Sequence, residues 1–299
     1  MGFLKSLFGV TDETEESKAQ GGSKDFDILK YDGIRALKQG DVAFAVKCFR
    51  HALEIKDEAE TREQLAVALG NGGDYEGSMK QYAMLAELEP GNAPLVLRLA
   101  QMAYLAGKYE DVVAICARVL EIEPSNSMAS LLQARAYMEQ GSIIQAIAML
   151  TKAITLDAAK PYAVSCQAWL LRGGLLLKMG DLDGAFADAR KAVEQMAEPD
   201  EAYLLMARVA EAQGRHDDAI NAYDKVVELN PFCVEAFKER GAVKYAMGDK
   251  NGAEDDMRQV LEIAPDALGD TNGEFTAEGR EGIQCKVEQA YRDINPLGI

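Results

Sequence analysis

The residues of this 299-residue chain that could do chemistry are two histidines, five cysteines, one glycine-dense stretch and a large excess of carboxylates. His51 and His216 are the only imidazoles, the side chains best suited to general base work near neutral pH. A catalytic base must meet a nucleophile or a second acid within hydrogen-bond reach, and no motif sets one beside either histidine. Cys48, Cys116, Cys166, Cys233 and Cys285 are widely scattered and form no Cys-x-x-Cys pair. That spacing signals neither a disulfide framework nor a zinc site, so the thiols read as small apolar residues in a reducing compartment. The stretch Gly70, Asn71, Gly72, Gly73 lacks the following Lys-Ser/Thr and the preceding strand of a phosphate-binding loop, and reads as a turn. No catalytic residue, metal ligand or cofactor is expected, and the chain reads as a non-enzyme.

Charge narrows the partners. Forty-nine acids against 32 bases leave a net charge of −17, which repels phosphate backbones and anionic headgroups, so nucleic acid is not expected as a ligand. The longest apolar runs fall far short of the roughly 20 residues that cross a bilayer, and no secretory signal pattern opens the sequence, which together point to a cytoplasmic protein. Residues 1–24 are expected to be a flexible segment. Within it Phe3, Leu4, Leu7 and Phe8 form a short apolar stretch ahead of an acidic, polar tether from Thr11 to Lys24. Gly2 and Ser6 fit the loose N-myristoylation pattern. Three readings stay open for this stretch: a frayed tail, a weak contact with a membrane surface, or an internal ligand.

The elements that position everything else come from a repeat. Gly40, Gly73, Gly107, Gly141, Gly180, Gly214 and Gly248 are separated by 33, 34, 34, 39, 34 and 34 residues, each with a small residue five places on. Pro90 and Pro124, and Pro231 and Pro265, are spaced by 34. Apolar residues at helical spacing stand on both sides of each glycine, for example Leu95, Leu99 and Met102, then Val112, Cys116 and Val119. Each period is therefore a helical hairpin that cannot bury its apolar face alone, and the units must stack into an all-α solenoid. Units begin near Phe26, Ala59, Ala93, Ser127, Cys166, Asp200 and Val234. About five extra residues fall near Asp157 to Ser165, with Pro161 placed to open a lengthened helix.

In period, hairpin unit and signature residues, notably Trp169, Gly173, Gly180, Asp181, Ala185 and Ala192, the chain resembles the tetratricopeptide repeat family over roughly residues 26 to 265. The resemblance implies a right-handed superhelical solenoid of about seven repeats over residues 25–265. Residues 266–299 are expected to form a turn-rich loop and a C-terminal capping helix with Ile283, Val287, Ala290, Tyr291 and Ile294 on one side. The resemblance also implies a concave groove lined by the first helix of each repeat, with a protein or peptide partner in it. Carried over, the candidate groove residues are Leu97, Arg98, Gln101, Tyr104, Leu131, Arg135, Met138, Leu170, Leu177, Leu204 and Arg208. The leucines either offer an apolar strip to a partner or pack between neighbouring first helices, and the arginines pair either with a partner's carboxylates or with the chain's own acids. Against the carboxylate-clamp subfamily, Lys30 and Arg98 fit, whereas Ile34, Gln64 and Pro94 depart, so chaperone-tail binding is disfavoured. The expected function is a non-enzymatic interaction scaffold, with a self-assembling or membrane-associated adaptor as the alternative.

Overall fold

The computed structural model describes residues 15–157 and 163–265, and these form two compact units, Met1–Ser142 and Ile143–Ile299. Among the described residues every regular element is an α-helix. The first unit holds α1 (Glu15–Lys38), α2 (Val42–Ile55), α3 (Ala59–Asn71), α4 (Tyr75–Leu88), α5 (Ala93–Leu105), α6 (Tyr109–Ile122) and α7 (Ser127–Glu139). The second holds α8 (Ile143–Asp157), α9 (Ala163–Met179), α10 (Leu182–Gln195), α11 (Asp200–Ala212), α12 (His216–Leu229), α13 (Val234–Ala246) and α14 (Lys250–Ile263). Five of the expected unit starts, Ala59, Ala93, Ser127, Asp200 and Val234, are the first residues of helices.

Each hairpin closes on the periodic glycine. All seven marker glycines have φ between 70 and 89°, and no other described residue has a positive φ. The left-handed conformation ends the first helix, and the next residue can then cap the second. Four times that residue is aspartate: Asp41, Asp74, Asp181 and Asp249 each accept a bond from the backbone N–H three residues on, at 2.8–3.0 Å. Close approach within a hairpin uses a different glycine. A Cβ on Gly33 would lie 2.6 Å from the ring of Phe49, and one on Gly173 would lie 3.3 Å from the Cβ of Asp188 in its own hairpin and 2.8 Å from Leu205 in the next.

In each unit a helix packs on its chain neighbours: α2 on α1 and α3, α4 on α3 and α5, α6 on α5 and α7, then α9 on α8 and α10, α11 on α10 and α12, and α13 on α12 and α14. The core is thus a row of small clusters. One holds Ala66, Tyr82, Leu85, Leu95 and Leu99, and another Ala207, Ala219, Tyr223, Val226 and Ala236. Where the family's usual alanine is replaced, the larger residue is still enclosed. Val112, Cys116 and Val119 are fully buried, and buried Ser78 donates its hydroxyl to the carbonyl of Ala66 at 2.7 Å.

Two expectations on length change. Helix α1 begins at Glu15, so residues 15–24, expected as tether, are helical. A packed helix extends without a new nucleation step, and Glu, Lys, Ala and Gln are good helix formers. The first helices are mostly 13 residues long, but α9 runs for 17, so part of the extra sequence enters this helix. Asp157, at the end of α8, accepts bonds from both the amide and the hydroxyl of Ser165 across that junction. Pro161, the stretch 1–14 and the expected capping helix lie outside the described residues.

Gly180 has open space around its missing Cβ, so Gly180→Ala tests the backbone alone. It should cost about 1 kcal/mol, with Asp181→Ala costing a similar amount, in urea unfolding. Parental midpoints for both would contradict this account of the hairpin turn.

Candidate functional site

Helices α5 and α7 touch in the first unit. On their shared side Leu97, Gln101, Tyr104, Arg135 and Met138 are half-buried and Arg98 is exposed. Leu97 and Tyr104 lean on a cluster of Ala100, Ala103, Val112 and Leu132, which supports them from below. Tyr104 also packs edge-on against Tyr109, and its hydroxyl lies 3.4 Å from a carboxylate oxygen of Glu139 on α7. Burial, and then the charge of Glu139, push the Tyr104 phenol above its usual pKa, so the ring keeps its proton and its donor. The Arg98 guanidinium donates to Gln101 at 3.3 Å, which tethers it along its own helix.

In the second unit, α9 and α11 touch, and Leu170, Leu177 and Leu204 are half-buried. Leu170 and Leu177 pack on Ala185, Ala189, Leu205 and Val209, while Leu204 packs on the cluster around Tyr223.

Two candidate residues are committed inside the fold. Leu131 is only 1% exposed, and every residue from Ala129 to Ala134 is buried, so this turn of α7 is enclosed on all sides and Leu131 packs rather than facing a ligand. Arg208 makes a two-pronged pair with Glu239 of α13 at 2.8 and 2.7 Å, which spends the geometry that would read a partner's carboxylate. Lys30, the matching clamp position of the first repeat, is 8% exposed and held by Glu58 and Glu60.

Charge pairs inside the repeats follow a rule of their own. Arg172 bonds both oxygens of Asp188, sixteen residues on in the same hairpin, and reaches Thr151 of α8. Arg240 repeats the arrangement with Asp256 and with Asp224 of α12. At the equivalent pair of places the other five repeats have Asp32 and Cys48, Leu65 and Gln81, Leu99 and Ile115, Gln133 and Met149, and Met206 and Ala222. Arginine stands at the first of these places only where aspartate stands at the second, because an arginine alone would leave a charge in the hairpin interior, whereas Asp32 of the first repeat is partly exposed and bonds Arg35 of its own helix.

The thiols are protected. Burial raises the pKa of Cys48, Cys166 and Cys233 and pushes Cys116 up to about 12, so none is a ready nucleophile. Cys285 lies outside the described residues. Both histidines are exposed. No described helix is long and apolar enough to cross a membrane.

A sequence model of the tetratricopeptide repeat family matches residues 72–136, 103–170 and 176–239, together more than half of the chain. The chain belongs to the tetratricopeptide repeat family. It is 24% identical over 192 residues to human protein O-mannosyl-transferase TMTC1, a match covering 64% of this chain and 22% of the human protein. The chain spans less than a quarter of the curated relatives it matches. Among solved structures it resembles the C-terminal part of a repeat protein from Cytophaga hutchinsonii, with TM-score 0.64 and 15% identity over 85% of this chain and 99% of the other. It also resembles YrrB, described as a TPR protein with an unusual peptide-binding site, with TM-score 0.52 and 19% identity over 62% and 94% of the two chains. At these identities the solved structures speak for the tetratricopeptide fold.

Two predictions follow from the ion pairs of this repeat array. Asp188→Ala should cost about 3–5 kcal/mol by stranding Arg172, whereas Arg172→Leu with Asp188→Ile, the pairing found at Leu99 and Ile115, should stay within about 1.5 kcal/mol of the parent. A double variant no more stable than the single would contradict the paired-charge rule. Separately, hydrogen bonds from Lys30, then Thr61, lower the pKa of Glu58 from 4.5 to about 2. The matching effect on Lys30 is upward: burial works against its charge, but the bonds to Glu58 and Glu60 outweigh it. A carboxylate with a depressed native pKa stabilises the fold above its unfolded value and loses that contribution as pH falls. The stability gap between parent and Glu58→Gln should therefore hold at neutral pH and close between about 4.5 and about 2. A gap independent of pH in urea titrations would remove Glu58 from the acid response.

Proposed function

We propose that the chain is a non-catalytic scaffold and that it holds a segment of a partner protein against the shared side of α5 and α7. Helices α9 and α11 offer a second face of the same type. The carrying observation is the set Leu97, Tyr104 and Met138: apolar or aromatic side chains, half exposed, on adjacent first helices, with Leu97 and Tyr104 supported by a buried cluster. Aromatic and methionine side chains in such a setting give a partner contact area at low entropic cost, and Arg98 and Arg135 supply polar specificity around them. The family's fold and the peptide-binding site described for YrrB support the same reading. Leu131 and Arg208, enclosed and ion-paired, act in this reading as supports for the face.

Photo-crosslinking in the native cell tests it, with a benzophenone side chain placed at 104 or 138 and, as controls, at the exposed positions Glu87 of α4 and Glu121 of α6. Adducts to one partner segment should form from 104 and 138 and be absent from 87 and 121. Tyr104→Ala with Met138→Ala should then weaken the purified complex by at least about tenfold, which needs 1.4 kcal/mol. Adducts confined to the control positions, or parental affinity in the folded double variant, would move the site off this face.

A further inference from the structure

The third position of each repeat, counted from its starting residue, is buried six times: Thr61, Leu95, Ala129, Ala168, Ala202 and Ala236. Where its neighbours are known, the second helix of the preceding repeat covers it. Leu95 packs with Tyr82 and Leu85 of α4, Ala129 with Val119 of α6, and Ala236 with Tyr223 and Val226 of α12. In the first repeat the same position is Ile28, and it is 58% exposed. Tyr31, one turn on, is 61% exposed, and Arg35, two turns on, extends into solvent with its guanidinium on Asp32. The tenth positions of five of the six later repeats, Ala68, Ala136, Leu175, Val209 and Val243, are by contrast buried, and Met102 of the third is half-buried. Among the described residues no helix precedes α1. Its outer side is therefore the one first-helix face, among those described, that lacks the cover the repeat provides elsewhere, and it carries a large aliphatic residue and a tyrosine.

We propose that residues 3–8 of the same chain occupy this face as a terminal cap, with Phe3, Leu4, Leu7 and Phe8 in the place that a preceding second helix takes in the later repeats. Three observations select this occupant. The first is composition: the four side chains fall at spacings of one, three and one, so they can share a side, and Lys5 is the one charged residue from 2 to 9. The second is charge. Around Ile28 the carboxylates of Asp25, Asp27 and Asp32 outnumber the exposed cations Lys24 and Arg35, the latter already on Asp32, so the face attracts Lys5, whereas a second copy of the chain arrives with a net charge of −17. The third is reach. Glu15 stands thirteen residues before Ile28 on one helix, about 20 Å along its axis, and the seven steps from Phe8 to Glu15 span up to about 24 Å. The segment can fold back to Ile28 and Tyr31 without strain, and the short tether gives it an effective concentration of about millimolar. This cap is independent of the α5 and α7 face.

Amide hydrogen exchange on the full chain tests the assignment, with three comparisons: a chain lacking residues 2–10, the point variant Ile28→Glu, and the shortened chain with a synthetic peptide of residues 2–10 added. Ile28 is exposed, so its replacement leaves the core intact. Exchange in residues 24–36 should rise about tenfold in the shortened chain and in Ile28→Glu, and the peptide should restore protection to the shortened chain but not to a shortened chain carrying Ile28→Glu. Unchanged exchange on deletion overturns the proposal. Protection that grows with protein concentration, alongside dimer in sedimentation, overturns it in favour of a second copy. Exchange that falls only when anionic phosphatidylserine vesicles are added overturns it in favour of a membrane surface.

Discussion

Each described helix of this protein buries its apolar side chiefly against the helices next to it or one removed in the chain, and that constraint governs the rest. No helix is long enough to supply its own core, and in each unit the buried clusters are assembled from three or four consecutive helices. The hairpin must therefore close at a fixed angle so that the next face arrives in register. A left-handed glycine does this seven times, at the cost of a residue with no side chain to pack. Stability becomes a sum of local interfaces, and the ends of the array are where that sum is incomplete.

Charged residues enter the interior of this scheme in matched sets. Arg172 with Asp188, Arg240 with Asp256, and Lys30 with Glu58 and Glu60 each bring cation and anion together in a setting where one alone would be costly. A chain of net charge −17 thereby places several of its scarce cations in the service of its own folding. The same economy leaves few for a partner, and it separates Arg98, exposed on α5, from Arg208, which Glu239 engages at Nε and Nη2.

Much of this was legible in the residues. The glycine period located the turns and five helix starts to the residue, because only glycine adopts the required backbone readily and aspartate after it caps the next helix. Leu97, Leu170 and Leu204 at the fifth repeat position and Tyr104, Met138 and Leu177 at the twelfth are half-buried. Leu131 escaped because position alone does not report how fully a helix is enclosed; the uncharged run from Ala129 to Ala134 was the available signal. Arg208 escaped because its partner lies 31 residues on, in the next repeat, a separation that local pattern does not connect. Helix α1 began earlier than its repeat, since a helix that is already packed extends through any tolerant sequence ahead of it.

The rest follows only if each helix packs chiefly on the helices next to it or one removed in the chain. Native-state hydrogen exchange on Val119→Ala, a fully buried residue of α6, tests it most directly. Loss of protection centred on α4 to α7, with the slowest amides of α1, α2 and α11 to α14 unchanged, is what a sum of local interfaces requires. An equal loss across all fourteen described helices would show a single cooperative core and contradict it.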